Sequence, residues 1–205
     1  HGWATSGQRG GGYVYENEIL ANVKAATTLP VKEGEDNHKT DVFIELPSGR
    51  VGIEVKLQNA QAGEPTMYYS FTSESFNISS DIIRNYYSQK GAQFVQVKGK
   101  GLFHIKNPIS LDIAGKKIRT TLFDFKSVMG LIQFRKTSDT RFAMRTQFKG
   151  NPLKSLPSSK VDLDKPDDLK AFIEYIAPGT SRNNEGPENL SIIKEFIKRS
   201  LLDVI

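Results

Sequence analysis

The sequence predicts an α/β protein with a mixed central sheet flanked by helices. Three observations carry that prediction. Apolar residues recur at helical spacing through Tyr15, Ile19, Val23 and Ala26, with Leu20 beside them. Two alternating runs, "TDVFIEL" and "RVGIEVKL", flank a Pro-Ser-Gly turn signal. A second helix-length segment, "SSDIIRNYYSQKG", then leads into two strand-like runs split by glycines. At 205 residues the chain is long enough for one good core.

The elements follow in order. Residues 1–12 are Gly-rich and predict a flexible arm; they contain no GxGxxG and follow no strand, so they are not a phosphate loop. A helix is predicted from Tyr13 to Thr28. The hairpin is predicted to turn at Ser48-Gly49, with Val42, Ile44 and Leu46 opposite Val55, Ile53 and Val51 on an apolar face. Its other face then places Asp41 opposite Lys56, Phe43 opposite Glu54 and Glu45 opposite Gly52. The next helix has an N-cap candidate at Ser80 and a stop at Gly91, before strands in "AQFVQVKG" and "GLFHIK". Further on, hairpins are predicted around Ala114-Gly115 and Thr137-Ser138-Asp139. A Pro/Ser/Lys connector follows, then helices over 167–176 and 187–204. The last of these carries an apolar stripe at Leu190, Ile193, Phe196, Ile197 and Leu201. The organisation read from this is an arm (1–12), a core (13–106) and a basic β-rich and helical extension (107–205) packed on it.

Composition narrows the function. Apolar content of 38% and charged content of 25% are ordinary for a globular protein, and no apolar run is long enough to span a membrane. The absence of cysteine excludes disulfides, thiolate metal sites and cysteine nucleophiles. With no signal-peptide core in the first dozen residues, an intracellular location is expected. His1, His38 and His104 lack the spacing of a shared metal site, and neither G-x-S-x-G nor a P-loop occurs. The net charge of +5 is uneven: from Gly115 to Lys160 eleven Lys and Arg face only Asp124 and Asp139, a local +9 that leaves −4 elsewhere. Lys116, Lys117, Arg119, Arg135, Lys136, Arg141 and Arg145 are therefore candidate contacts to a polyanion such as nucleic acid.

The chemistry concentrates in the hairpin. Glu54 and Lys56 are two residues apart on one strand, so their side chains share a face, and Asp41 on the neighbouring strand joins them. Glu16 lies on the inward stripe of the first helix, at i−3 from Ile19 and i−4 from Leu20, where an unpaired acid is costly. Paired carboxylates suit Mg²⁺, and a metal so held can activate water against a phosphodiester. Gln58 shares the face of Glu54 and Lys56 by parity. Gln89 and Lys90 end the second helix, where side chains can reach a phosphate.

Glu16, Asp41 and Glu54-Val55-Lys56, in that order on helix, strand and next strand, resemble the PD-(D/E)xK nuclease superfamily. "EVKLQNAQAG" is similar to its restriction-enzyme and phage variants. The resemblance spans Tyr13 to Lys106, and Thr40 stands where a proline commonly precedes the aspartate. It implies a restriction-endonuclease-like αβββαβ core. Mg²⁺, replaceable by Mn²⁺, would be held by Asp41, Glu54 and the Val55 carbonyl, with Glu16 as an outer or second-metal ligand. Lys56 would position the nucleophilic water. The implied activity is metal-dependent DNA endonuclease, acting on duplex DNA, in bacterial cytoplasm or a phage-infected host. A homodimer would supply one site per strand. A junction- or RNA-directed nuclease of the same fold, or an inactive nucleic-acid-binding module, are the alternatives.

Overall fold

The computed structural model describes residues 6–35, 39–77, 81–106, 111–119, 132–146, 151–182 and 198. A five-stranded mixed sheet lies at its centre, in the order β1-β2-β3-β6-β7. Strands β1 (Val31–Glu33), β2 (Val42–Leu46) and β3 (Gly49–Lys56) form an antiparallel meander. β6 (Phe94–Val97) adds parallel to β3, and β7 (Gly101–His104) closes the sheet antiparallel to β6. The parallel β3–β6 step needs a crossover, which includes α2 (Ile82–Gln89) and the hairpin β4 (Thr66–Ser70) and β5 (Ser75–Asn77). The two-stranded β8 (Leu111–Ile113) and β9 (Lys116–Ile118) follow. β10 (Ile132–Ser138) and β11 (Arg141–Thr146) then return to pair with β4, making a second, four-stranded sheet in the order β10-β11-β4-β5.

Helix α1 (Ser6–Ala26) buries Tyr15, Ile19 and Val23, the stripe that the periodicity predicts. It starts seven residues before the predicted boundary, so part of the expected flexible arm is helical. Its glycines are each about 1 kcal/mol less favourable than alanine in a helix, and the added turns are backed by contact: a Cβ on Gly11 would stand 3.7 Å from Leu57 Cδ1, at the end of β3. Helix α3 (Pro166–Ile176) starts with proline in its first turn and two acids, Asp167 and Asp168, favoured at the positive end of the helix dipole.

Among its described residues, the C-terminal extension contributes to the core. Val161, Leu163, Leu169, Phe172 and Ile173 share one buried cluster with Tyr15, Ile19, Val23, Ile53 and Phe94. Each such buried side chain contributes about 1.5–3 kcal/mol relative to exposure. The backbone follows: Leu102 donates to the Val161 carbonyl at 2.7 Å. The hairpin β8–β9 turns at Ala114-Gly115, both at positive φ, as predicted. That between β10 and β11 turns one residue later than predicted, at Asp139-Thr140, with a bulge after Lys136. The predicted helix over 187–204 lies, except for Lys198, outside the described residues. So do Ser80 and His38.

The β2–β3 register differs from the predicted one by two residues. Val42 pairs with Ile53, Phe43 with Gly52, Ile44 with Val51 and Glu45 with Arg50. The turn residues are Pro47-Ser48, not Ser48-Gly49. Proline has no N–H for the ladder and its fixed φ suits the first corner of a turn, and the shift sets Arg50 against Glu45 at 2.7 Å. Because the slip is two residues, every side chain keeps its face. Gly52 thereby lies under the end of α2. A Cβ there would stand 2.1 Å from the Gly91 carbonyl oxygen and 2.8 Å from Thr40 Cγ2. Gly52→Ala is expected to destabilise the fold by about 1–3 kcal/mol or more by urea denaturation. A neutral effect would mean that α2 does not abut β3 at this point.

Candidate active site

A cavity of about 380 Å³ opens where α1, the loop before β2, the end of β3 and the end of α2 meet. Glu16, Asp41, Glu54 and Lys56 all line it, and so does Lys90. Each is delivered by a different local rule. Helical periodicity turns half-buried Glu16 inward next to Tyr15, while Glu18 is exposed. Strand alternation sends Glu54 and Lys56 to one side of the sheet. The shifted register brings Asp41 level with Glu54 instead of opposite Lys56, and its Oδ2 accepts the Val55 N–H at 2.8 Å.

Glu54 is the most enclosed of the acids, 1% exposed. Its Oε1 accepts Lys56 Nζ at 3.0 Å and Lys90 Nζ at 3.4 Å, and its Oε2 accepts Thr40 Oγ1 at 2.9 Å. Burial on its own would raise its pKa, but Lys56, Lys90 and these hydrogen bonds hold the carboxyl below the usual glutamate value. Burial likewise works against the Lys56 ammonium, and the Glu54 charge overcomes it, so Lys56 stays protonated. Asp41 makes no salt bridge to either lysine, and the Lys56 charge only partly offsets what raises it. Burial, then the charges of Glu54 and Glu16, push its carboxyl up to about 7. Glu16 is also raised, first by burial and then by its acidic neighbours Glu54 and Glu33, against the opposing charge of Lys56.

The excess of carboxylate is the observation that bears on a metal. Among the described residues no three acids stand close enough to enclose a cation. Mg²⁺ is commonly held by one or two carboxylates and otherwise by water and substrate phosphates, so Asp41 and Glu54 are the side chains that could hold one here. Asp41, whose carboxyl is pushed up by burial and then by the charges of Glu54 and Glu16, is the residue a cation would relieve most. Glu54 would exchange a lysine contact for the metal, beside the Val55 carbonyl.

Several predicted residues are not brought here. Gln58 and Gln89 are exposed and do not line the cavity; Gln58 instead approaches Gly99 in the β6–β7 turn. Lys116 is bound at 2.6 Å to the buried Asp168 of α3. Exposed Lys117 and Arg119 belong to the same β8–β9 segment, whereas Arg135, Lys136, Arg141 and Arg145 belong to the second sheet. The basic segment is therefore two regions, not one patch. Thr40 was legible only as a departure from a family pattern, and its hydroxyl holds Glu54. Glu33, on β1, also lines the cavity and left no signal beyond its acidity.

No protein-family model matches the chain, and no curated protein matches it as a relative. The site is thus read from its own geometry.

Asp41 gives that geometry a titration. An acid whose folded value is about 7, against about 4 in an unfolded chain, binds its proton more tightly in the native state. Metal-free stability should therefore fall as pH rises from about 4 to about 7 and level off above. Glu54, with its lowered value, acts in the opposite sense, and only below its unfolded value. Scanning fluorimetry in EDTA should show Asp41→Asn flattening the fall between pH 5 and 8 and raising the melting temperature most at pH 8. A variant that kept the wild-type pH profile would rule out Asp41 as the strained acid.

Proposed function

We propose that this chain is a metal-dependent DNA endonuclease with a restriction-endonuclease-like core. The observation that carries the reading is the convergence of Asp41, Glu54 and Lys56, with Glu16, in one cavity from three separate elements. The element order α1, β1, β2, β3, α2, β6, with β4 and β5 inserted before α2, supports it. So does the positive charge that the sequence concentrates between Gly115 and Lys160, divided in the fold between β8–β9 and the second sheet.

Asp41, Glu54 and the Val55 carbonyl would hold Mg²⁺, which supplies Lewis acidity toward the scissile phosphate and lowers the pKa of an attacking water. The chain's own residues do the rest. Lys56, kept protonated by Glu54, holds an ammonium at the partly exposed edge of the pair, where it orients the attacking water and meets charge developing on the phosphoryl oxygens. Lys90, on the same Glu54 oxygen, is a second ammonium facing the space that phosphate would enter. Glu16 faces the same space from α1 and would hold a water or a second cation there.

Plasmid cleavage tests the reading. Asp41→Ala and Glu54→Ala should each abolish Mg²⁺-dependent cutting, as EDTA should for the wild type, while DNA binding measured in Ca²⁺ persists. Wild-type cleavage by Asp41→Ala would sink the assignment. For Lys56 the discriminating measurement is single-turnover kinetics. Lys56→Ala should slow the chemical step by about 10²–10³-fold and leave DNA affinity within a few-fold. Parallel losses in rate and affinity would make Lys56 a binding contact instead.

A further inference from the structure

The second sheet presents a face that the catalytic reading does not use. Register assigns its side chains row by row. Gln133 is level with Arg145 and Thr66; Arg135 with Ala143, Tyr68 and Asn77; Arg141 with Ser70 and Ser75. Since paired residues and their i+2 neighbours share a side, three arginines and Tyr68 lie on one face. Phe134, Phe142, Tyr69 and Phe76 fall on the other.

The arginine face is open. Tyr68, on a central strand, is 47% exposed, and Arg135, Arg141 and Arg145 are all exposed. Arg145 is already paired with Glu64. Arg135 and Arg141 have no acidic partner among the described residues, so their charge is available to a ligand. Arg135 and Arg141 stand on neighbouring strands, offset by one two-residue step, because Ala143 is the residue level with Arg135. Two concavities flank the Tyr68 row, one of about 480 Å³ at Ser70 and Arg141 and one of about 880 Å³ at Thr66, Arg135 and Arg145. The larger reaches Tyr86, and Lys90 Nζ sits 5.4 Å from the Tyr86 ring centroid while lining the carboxylate cavity. The face and the candidate active site are thus joined through one cation–aromatic pair.

An exposed ring can stack only on a base whose own face is free, which a paired base inside a duplex does not offer. Sequence-tolerant single-strand binding combines such rings with cations along the backbone. We propose that this face binds single-stranded DNA, with an unpaired base on Tyr68 and backbone phosphates on Arg135 and Arg141. The purpose of that binding rests on the nuclease reading: the substrate is a duplex carrying a single-stranded arm, with the arm lying on the second sheet and the scissile phosphate beyond Lys90. The binding itself does not rest on it.

The test is fluorescence anisotropy in EDTA, where nothing is cut, with a labelled oligothymidylate of about 12 nucleotides and a blunt hairpin duplex. Tyr68→Ala should weaken oligothymidylate binding by about 5- to 150-fold and leave the duplex unaffected, while Tyr68→Phe binds as wild type. Arg135→Ala with Arg141→Ala should reduce the salt slope on the single strand by about 1.4. Asp41→Asn should bind the oligonucleotide as wild type does. Unchanged single-strand affinity in Tyr68→Ala, or equal losses on both ligands, would overturn the proposal. Loss of cleavage without change in these values, or the reverse, separates its failure from failure of the nuclease reading.

Discussion

A carboxylate 1% exposed cannot stand alone inside a protein, and the need to partner Glu54 organises the ground around it. Its oxygens are satisfied by Thr40 from the loop before β2, by Lys56 from its own strand and by Lys90 from the end of α2. Removing one partner from such a set leaves buried charge uncompensated, which is why these contacts act as a unit. The backbone is fixed to the same point. Thr40 donates to the Lys90 carbonyl at 3.1 Å, and Gln93 both donates to the Gly52 carbonyl and accepts the Gly52 N–H. Only a residue without Cβ lets α2 come that near the strand, so Gly52 is what brings Lys90 within reach of Glu54.

Satisfying Glu54 leaves Asp41 without a salt bridge among the described residues. The two lysines are used on one carboxylate, and the second, level with it, keeps one backbone hydrogen bond and a raised pKa. A structural hairpin with polar residues on its solvent side has no reason to set acids in this way, since water would relieve them. Strain of this kind, held by a well-packed surround, is characteristic of sites that act on a ligand. Tyr87, buried beneath, tightens that surround through its hydroxyl bond to the Ala62 carbonyl.

The parts of the site legible in the sequence were those set by local periodicity. Alternation places Glu54 with Lys56, and the 3.6-residue repeat places Glu16 beside the buried Tyr15 and Ile19. Partnership across strands was less legible, because sliding β2 on β3 by two residues keeps the apolar faces together, with Leu46 meeting Gly49 in place of Val51. Pro47 decides the slide, through its missing N–H, and that signal was outweighed by the apolar pattern. Lys90 and Thr40 meet Glu54 through the close approach at Gly52, for which the only trace is a glycine inside a strand. β1 and β5, at three residues each, are too short to show a period, and β4 was missed although "TMYYS" is rich in strand-favouring residues.

Charge shows the same limit from the other side. A count of lysine and arginine treats Gly115 to Lys160 as one basic surface, yet folding gives its members different work. Lys116 is committed to Asp168, whose other oxygen accepts the Asp162 N–H, so this ion pair anchors the start of α3 to β9 and to the segment that crosses β7. Arg145 is held by Glu64 at the entry to β4. Arg135 and Arg141 have no acidic partner among the described residues. These share a face only because β11 lies between β10 and β4 in register and the bulge after Lys136 falls beyond the paired row of Arg135. The pleat of one sheet, and not the count of charges, decides which of these cations stand together, and that pleat also turns Tyr68 toward the same side.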